Sequence, residues 1–184
     1  GIFAWGAQVE AAGNVSSYVA TTSAQVTRIK DWMRKDAAGS LLSRSLTMLF
    51  TGGKQVGTLN YLCNIDDGAN MDKLSLESSN DGTGLKFMVV VGGATVGMVQ
   101  TPAIPANTRM KIAMSYDNAT RRLAMAVNGT LYTAVASAPH SSALARFGLG
   151  SSGVTGNYSG GQPIEAFAII PIALTDAELI EVTR

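Results

Sequence analysis

Residues 110–132, MKIAMSYDNATRRLAMAVNGTLY, constrain the fold of this chain more than any other stretch. Large apolar side chains occupy every second position before the turn at 117–120, and again between that turn and the pair Asn128-Gly129. A period of two is typical of a strand with one face on a core. Asn-Gly accepts the positive φ angles that a two-residue hairpin requires. The stretch therefore predicts an antiparallel meander of three short strands.

Short apolar segments separated by turn residues continue on both sides of this meander. Many short strands at such spacing are typical of a β-sandwich or barrel. The predicted strands are 46–51, 56–65, 73–78, 85–91, 95–100, 109–116, 122–127, 130–135, 145–150 and 164–170. Thr175 and Glu178 have the spacing of a capping box, which predicts a short C-terminal helix. We therefore expect an all-β antiparallel sandwich that ends in one short helix.

The N-terminal part of the chain is less regular. Residues 2–9 predict a strand, and residues 11–25, rich in Ser, Thr, Ala and Gly, predict an extended linker. Residues 29–45 mix charged and apolar side chains without a clear period, which favours a loop over a short helix. The chain begins inside an apolar segment without a methionine, so we expect it to be a fragment of a longer protein.

The meander also resembles a known family. A strand ending in Tyr116-Asp117, a short turn and a strand ending in Val127-Asn128-Gly129 resemble the central hairpin of concanavalin A-like, laminin-G-like domains. Residues 173–179, ALTDAEL, are similar to the closing strand and short helix of that family. The resemblance implies a β-sandwich of the jelly-roll type with a short C-terminal helix.

A second resemblance lies at the N-terminus. Residues 5–10, WGAQVE, together with residues 17–28, resemble a segment that recurs in bacteriophage tail and tail-fibre proteins. There it closes one β module and leads into a lectin-like one. The resemblance implies that residues 1–28 are an arm containing the end of a preceding β module, and that residues 29–184 are the concanavalin A-like sandwich.

Together the resemblances imply a non-enzymatic, carbohydrate-binding receptor domain of a phage tail fibre or tail protein. Such a domain would recognise host cell-surface polysaccharide or lipopolysaccharide, and it would be located in the virion tail and act at the host cell surface. Phage fibres are commonly trimers, so a homo-trimer beside other virion tail proteins is expected. Two alternatives stay open: a purely structural or trimerising virion module without a ligand, and a polysaccharide depolymerase domain.

Composition excludes several classes of partner. The net charge is +1 in 184 residues, which gives no electrostatic reason to expect nucleic acid. No apolar run is long enough for membrane insertion, and no secretory leader is visible. The single Cys63 lies in an apolar run and is expected to be a small core residue.

Catalytic residues are poorly represented. A catalytic triad would need the one histidine, His140, which lies among turn-forming residues and is expected to be solvated. Glycoside hydrolysis needs two facing carboxylates. Glu77 and Glu165 each stand alone in a predicted strand, and both are expected to face solvent. We therefore expect that the chain is not an enzyme.

The sequence requires no cofactor, and calcium is the one metal that it suggests. Calcium takes several oxygen ligands from carboxylates, amides and carbonyls. Asp66, Asp67 and Asn70 cluster in one predicted turn, and laminin-G-like domains often hold calcium in loops at the rim. Asp-Asp-Gly is also an ordinary turn sequence, so a metal-free turn is the alternative.

Sugar binding usually requires an aromatic platform with planar polar side chains. The loop 151–162 is long, small and polar, and loops of this kind often carry binding residues, although a flexible connection is an equal interpretation. On a strand, Asn60 and Asn64 are expected to point opposite to Tyr61 and Cys63. The candidate ligand-binding residues are Trp32, Asn60, Asn64, Asn118, Arg121, Asn157 and Tyr158.

One predicted sheet face is rich in alanine where lysine, glutamate or threonine would be usual for a solvated face. Such a face implies that something lies close over it: a bound chain, a neighbouring subunit, the N-terminal arm or a ligand. Curvature of the sheet is the alternative explanation. The residues assigned to this face are Ala113, Ala124, Ala126, Ala134 and Ala136.

Overall fold

The computed structural model describes residues 33–36, 45–53, 61–69, 71–78, 84–105, 108–140, 144–150 and 164–184. All of them lie within the compact unit Trp32–Arg184. The strand predicted at 2–9 and the linker predicted at 11–25 lie outside the described residues. The boundary between the predicted units 1–28 and 29–184 lies outside them as well.

The described chain forms two antiparallel sheets and one helix. The elements are β1 Met33–Asp36, β2 Leu46–Gly53, β3 Tyr61–Asp66, β4 Lys73–Ser78, β5 Leu85–Val91, β6 Ala94–Gln100, β7 Arg109–Asp117, β8 Arg122–Val127, β9 Thr130–Val135, β10 Arg146–Leu149, β11 Ile164–Ile170 and α1 Asp176–Thr183. One sheet has the order β1-β10-β3-β4-β5-β6 and the other has the order β11-β2-β7-β8-β9. The predicted all-β sandwich with a short C-terminal helix is confirmed.

The central meander β7-β8-β9 has the predicted turns. At the first turn, Asp117 accepts hydrogen bonds from the Ala119 amide at 3.0 Å and the Thr120 hydroxyl at 2.7 Å. At the second, Asn128 and Gly129 adopt φ angles of 48° and 82°. Since these φ values match the right-handed twist of the flanking strands, the Asn-Gly pair fixes the β8-β9 register.

The core lies between the two sheets and is built from the large alternating residues. Phe50, Phe87 and Tyr116 are among its largest buried side chains, and Met48, Met110, Met114 and Met125 fill the space around them. Cys63 belongs to the same cluster, so its predicted core position is confirmed.

Helix α1 covers the alanine-rich face. The candidates that were predicted to lie over this face did not include α1. Ala113, Ala124 and Ala126 form a second buried cluster with Leu179 of the helix. A complete capping box between Thr175 and Glu178 starts α1. Small side chains are required here because a helix backbone packs directly on the strands.

Two of the five alanines were assigned to the wrong face. Ala134 packs against the main core, and Ala136 is part of it. Leu123 pairs with Ala134 in the sheet register, which places both on the inward side.

Among the described residues, no helix is both long and apolar enough to cross a membrane.

Strand β1 corrects the prediction of a loop or short helix near residues 29–45. Its sequence, MRKD, lacks the alternation that predicts a strand. It pairs antiparallel with β10 at the end of the six-stranded sheet. Edge strands tolerate charged residues, which is why the pattern did not reveal it.

Candidate functional site

The outward side of the six-stranded sheet carries polar side chains where the inward side carries apolar ones. In β4, Leu74 and Leu76 point to the core, so Lys73, Ser75 and Glu77 point outward. Strands β3 and β10 extend the same pattern, whereas β5 places Met88 and Val90 beside Lys86 on this side. We call this surface the outer polar face, and its members are Tyr61, Asn64, Asp66, Lys73, Ser75, Glu77, Lys86 and Arg146.

Sheet register arranges these residues in three rows across the strands. In the first row, Arg146 pairs with Asp66, and Asp66 pairs with Lys73. In the second row Gly148, Asn64 and Ser75 are partners, and in the third Tyr61, Glu77 and Lys86 are partners. Residues far apart in the sequence therefore meet on one surface.

The outer polar face is buried despite its polarity. Apart from half-buried Lys73, its members are only 0 to 9% exposed. The described helix packs on β7, β8 and β9 of the other sheet, not on this face. Burying a polar group is unfavourable unless it finds a hydrogen-bond partner, so the pairing of these side chains is informative.

Arg146, Asp66 and Asn64 form the most buried cluster of this face. Arg146 Nη2 lies 2.6 Å from Asp66 Oδ1, and Asn64 Nδ2 donates to Asp66 Oδ2 at 2.9 Å. The Gly68 amide donates to Asp66 Oδ1 at 2.7 Å. Asn64 Oδ1 and Arg146 Nε are buried without a hydrogen-bond partner. Arg146 Nη2 is close to Asp66 Oδ1, but the contact is not aligned as a hydrogen bond.

A second group on this face surrounds Tyr61. Lys73 Nζ lies 3.4 Å from the Tyr61 hydroxyl and 5.3 Å from the centre of its ring, a cation–π distance. Ser75 Oγ donates to Glu77 Oε1 at 2.8 Å. Burial raises the pKa of Glu77, while the Ser75 hydrogen bond and nearby Lys73 and Lys86 oppose that shift.

Two expectations about this face were wrong. Glu77 is 2% exposed and does not face solvent. Tyr61 lies on the same face as Asn64, not opposite to it, because the β3-β4 register shifts between Tyr61 and Cys63. A bulge of this kind re-aims the side chains on one side of it. The solvent-facing prediction is confirmed for Glu165, which forms an exposed ion pair with Arg109 at 2.6 Å.

The carboxylates that suggested calcium already have other partners. Asp66 contacts Arg146 and the Gly68 amide, and Asp67 Oδ1 accepts from the Ala69 and Met71 amides at 2.9 and 3.2 Å. Asn70 lies outside the described residues. In the part of the chain that the structure describes, no three acidic, histidine or cysteine residues are grouped for a metal ion. Calcium at this turn would have to displace these donors.

His140 is buried and not solvated, which overturns the sequence expectation. It is 2% exposed and packs edge-on against Tyr116, with ring centroids 5.5 Å apart. Its Nδ1 lies 3.8 Å from Asp72 Oδ2, which is longer than a hydrogen bond. Burial lowers the pKa of His140, and the Asp72 carboxylate partly opposes that shift.

Asn118 and Arg121, two of the predicted ligand-binding residues, serve the loop that holds His140. Asn118 Oδ1 accepts from the His140 amide at 2.7 Å and from the Tyr116 hydroxyl at 3.1 Å. Arg121 Nη1 donates to the Ser137 carbonyl at 3.1 Å. The structure therefore does not bring them together with Asn64, which lies on the outer polar face. Trp32, Asn60, Asn157 and Tyr158 lie outside the described residues.

Apart from Asn64, the residues of the outer polar face were not predicted to form one binding surface. Residues 73–78, KLSLES, contain the pattern that could have revealed them, because every second position is charged or hydroxylated. Arg146 carried no such pattern, since its strand is only four residues long. Its place depends on pairing with β3.

A different concave feature lies on the five-stranded sheet. This open groove is lined mainly by apolar side chains, including Leu49, Ala166 and Val182. It offers few groups that could hydrogen-bond a polar ligand. The outer polar face is therefore the better candidate for recognising one.

No family model matches the sequence, and no curated protein matches it significantly. Similar solved structures include the CBM40 of Ruminococcus gnavus IT-sialidase bound to α2,3 sialyllactose, with a TM-score of 0.63, 21% identity and coverage of 78% of this chain and 84% of that chain. Domain 4 of AbnA, a GH43 extracellular arabinanase from Geobacillus stearothermophilus in complex with arabinotriose, has a TM-score of 0.60 and 16% identity, with coverage of 80% and 70%.

Domains LG4-5 of the mouse laminin α1 chain are similar as well, with a TM-score of 0.57 and 15% identity. The match covers 92% of this chain and 48% of that chain. The described chain therefore has the concanavalin A-like jelly-roll fold of these lectin-type and laminin-G domains.

Proposed function

We propose that this chain is a carbohydrate-binding domain and that its outer polar face holds the glycan. The observation that carries the proposal is the set of buried hydrogen-bonding atoms without partners at Asn64 and Arg146. Sugars present hydroxyl groups that satisfy such atoms, and their apolar C–H faces pack on aromatic rings such as that of Tyr61. Two proteins of the same fold were solved with bound oligosaccharides, sialyllactose and arabinotriose, which supports the proposal.

The finer proposal is a receptor-binding role at the tail of a phage virion, with host surface polysaccharide or lipopolysaccharide as the ligand. Its support is the resemblance of residues 5–10 and 17–28 to phage tail proteins. A trimer acting beside other tail proteins belongs to the same proposal.

The role is proposed to be non-enzymatic. Among the named members of the outer polar face, the carboxylates are Asp66 and Glu77, and Asp66 pairs with Lys73, four residues from Glu77 along β4. At about 3.3 Å per residue their backbones are about 13 Å apart. The carboxyl groups of glycosidases stand roughly 5 to 9.5 Å apart. Each carboxylate also has its own partner, Arg146 or Ser75, which supports binding over hydrolysis.

A glycan array with host envelope polysaccharides tests the proposal. We expect saturable binding without shortening of the polysaccharide, and loss of binding in Arg146→Gln. The matched control is Arg109→Gln, which removes an arginine from an exposed ion pair on the other sheet and should leave binding intact. Shortened products would instead establish a depolymerase.

A structural module is the second candidate, and the burial of the outer polar face favours it, because side chains that are already buried within the single chain leave little surface for a ligand. It predicts that the folded protein binds no glycan on the array. That result, together with a stable oligomer in sedimentation analysis, would replace the carbohydrate-binding proposal.

A further inference from the structure

We infer that the Asn64–Asp66–Arg146 cluster recognises an uncharged sugar hydroxyl and disfavours the carboxylate or sulfate groups of acidic glycans. This inference rests on the proposed function and names the class of ligand for the same face. It follows from two properties of the cluster: its charge is already balanced, and its buried atoms without a hydrogen-bond partner include both a donor and an acceptor.

The charge of Arg146 is neutralised within the cluster. Its Nη2 lies 2.6 Å from Asp66 Oδ1, and the two side chains are 5% and 0% exposed. An acidic group that approached the guanidinium would therefore also approach the Asp66 carboxylate. Repulsion between like charges is strong where water is excluded, so the buried Asp66 opposes a second anion.

The unused atoms are of opposite kinds. Asn64 Nδ2 donates to Asp66 Oδ2 at 2.9 Å, which fixes the other end of the amide as the oxygen. That oxygen, Asn64 Oδ1, is a buried acceptor without a partner, while Arg146 Nε is a buried donor without one. A carboxylate only accepts, and it would leave the Asn64 oxygen facing another oxygen. A hydroxyl both donates and accepts, and so it suits both residues.

The geometry of the cluster brings these atoms to one place. Asn64 and Arg146 contact the two oxygens of a single carboxylate, that of Asp66. In the sheet register Asn64 lies opposite Gly148, which carries no side chain. On its other side Asn64 pairs with Ser75, whose hydroxyl extends the row of uncharged polar groups.

The test compares matched probes on the full chain. Lactose and α2,3-sialyllactose differ by one acidic sugar, and arabinotriose is a second neutral probe. Binding is measured by calorimetric titration at 0.05 and 0.5 M NaCl, beside an array that carries neutral and acidic glycans. We expect neutral glycans to bind, an acidic sugar to add no affinity, and salt to change Kd by less than about twofold.

Substitutions localise the effect. Arg146→Lys keeps the positive charge beside Asp66 but removes the guanidinium donors, and Asn64→Ala removes the acceptor. Each should weaken binding of neutral glycans by at least about tenfold, whereas Arg109→Lys on the other sheet should not. Thermal melting establishes that the variants fold. If they do not fold, the comparison of neutral and acidic probes on the unaltered chain decides the inference alone.

The outcomes separate the inference from the proposed function. Binding confined to acidic glycans, or at least tenfold tighter binding of sialyllactose that is lost in high salt, would overturn the inference and leave a carbohydrate-binding domain. No binding of any glycan by the folded chain would overturn both and identify the cluster as a structural one.

Discussion

Gly97 and Ala136 approach each other so closely that a Cβ atom on Gly97 would lie 2.9 Å from the Ala136 Cβ and 3.0 Å from its Cα. The contact lies where β6, an end strand of one sheet, passes β9, an end strand of the other. The Ser137 amide donates to the Val96 carbonyl at 2.8 Å beside it. A glycine at this position lets the two sheets meet along one side of the sandwich.

Gly97→Ala should therefore destabilise the fold. The added methyl group meets backbone as well as a side chain, so β6 or residue 136 must shift. We expect the free energy of unfolding to fall by about 1 to 3 kcal/mol, the usual effect of overpacking. Urea denaturation measures it, with Thr95→Ala on the exposed side of the same strand as control. Equal stability of the two variants would contradict the close approach.

Cys63 should be inert in the folded protein. Burial raises the pKa of its thiol to about 12. Only the thiolate reacts, so an aromatic disulfide reagent at pH 8 should label the native chain far more slowly than the chain in concentrated urea. Labelling of the native protein at the rate of an exposed thiol would show that Cys63 is accessible.

His140 should make stability depend on pH. Its pKa is lowered in the folded state by burial, so the unfolded chain takes up the proton more readily. The contribution of His140 is complete above the unfolded value of about 6.5 and is lost as pH falls from there to the folded pKa. We expect His140→Gln to flatten the decline in unfolding free energy between pH 7 and 5.

Glu77 should act in the opposite direction. Its pKa is raised by burial, so its contribution is present below the unfolded value of about 4.3 and is lost as pH rises through the folded pKa. Urea titrations of Glu77→Gln and His140→Gln at several pH values separate the two effects. A His140→Gln profile that parallels the unaltered chain would mean that His140 does not titrate differently on folding.

Calcium should have little effect on the turn that follows β3. Asp66 already contacts the Arg146 guanidinium, and Asp67 Oδ1 accepts two backbone amides. We expect the melting temperature to be the same in calcium and in a chelator. A rise of several degrees with calcium would show that the ion displaces these partners.

Local patterns predicted the parts of the fold that depend on local sequence. The alternation and the Asn128-Gly129 turn predicted β7 to β9, and the Thr175–Glu178 capping box predicted α1. The pattern did not predict β1, a strand with three charged residues out of four that pairs at a sheet edge. Small residues such as Ala124 indicated that something covers that face, but only the path of the chain shows that α1 does so.

The candidate site was harder to predict because it is assembled by register. Arg146, Asp66 and Lys73 are brought together by pairing of three strands, and no sequence spacing records that pairing. His140 looked solvated because its neighbours form turns. Its burial depends on Tyr116 and on the segment that carries Asp72, which are distant in sequence.

Whether the outer polar face binds a glycan can be measured directly. A glycan that binds on the array is titrated into the protein, and the amide chemical shifts are followed. If this face holds the glycan, saturable shifts should be concentrated in β3, β4 and β10, around Asn64, Ser75 and Arg146, and they should disappear in Arg146→Gln. Shifts confined to the five-stranded sheet or to the loop around Asn118 would contradict the account.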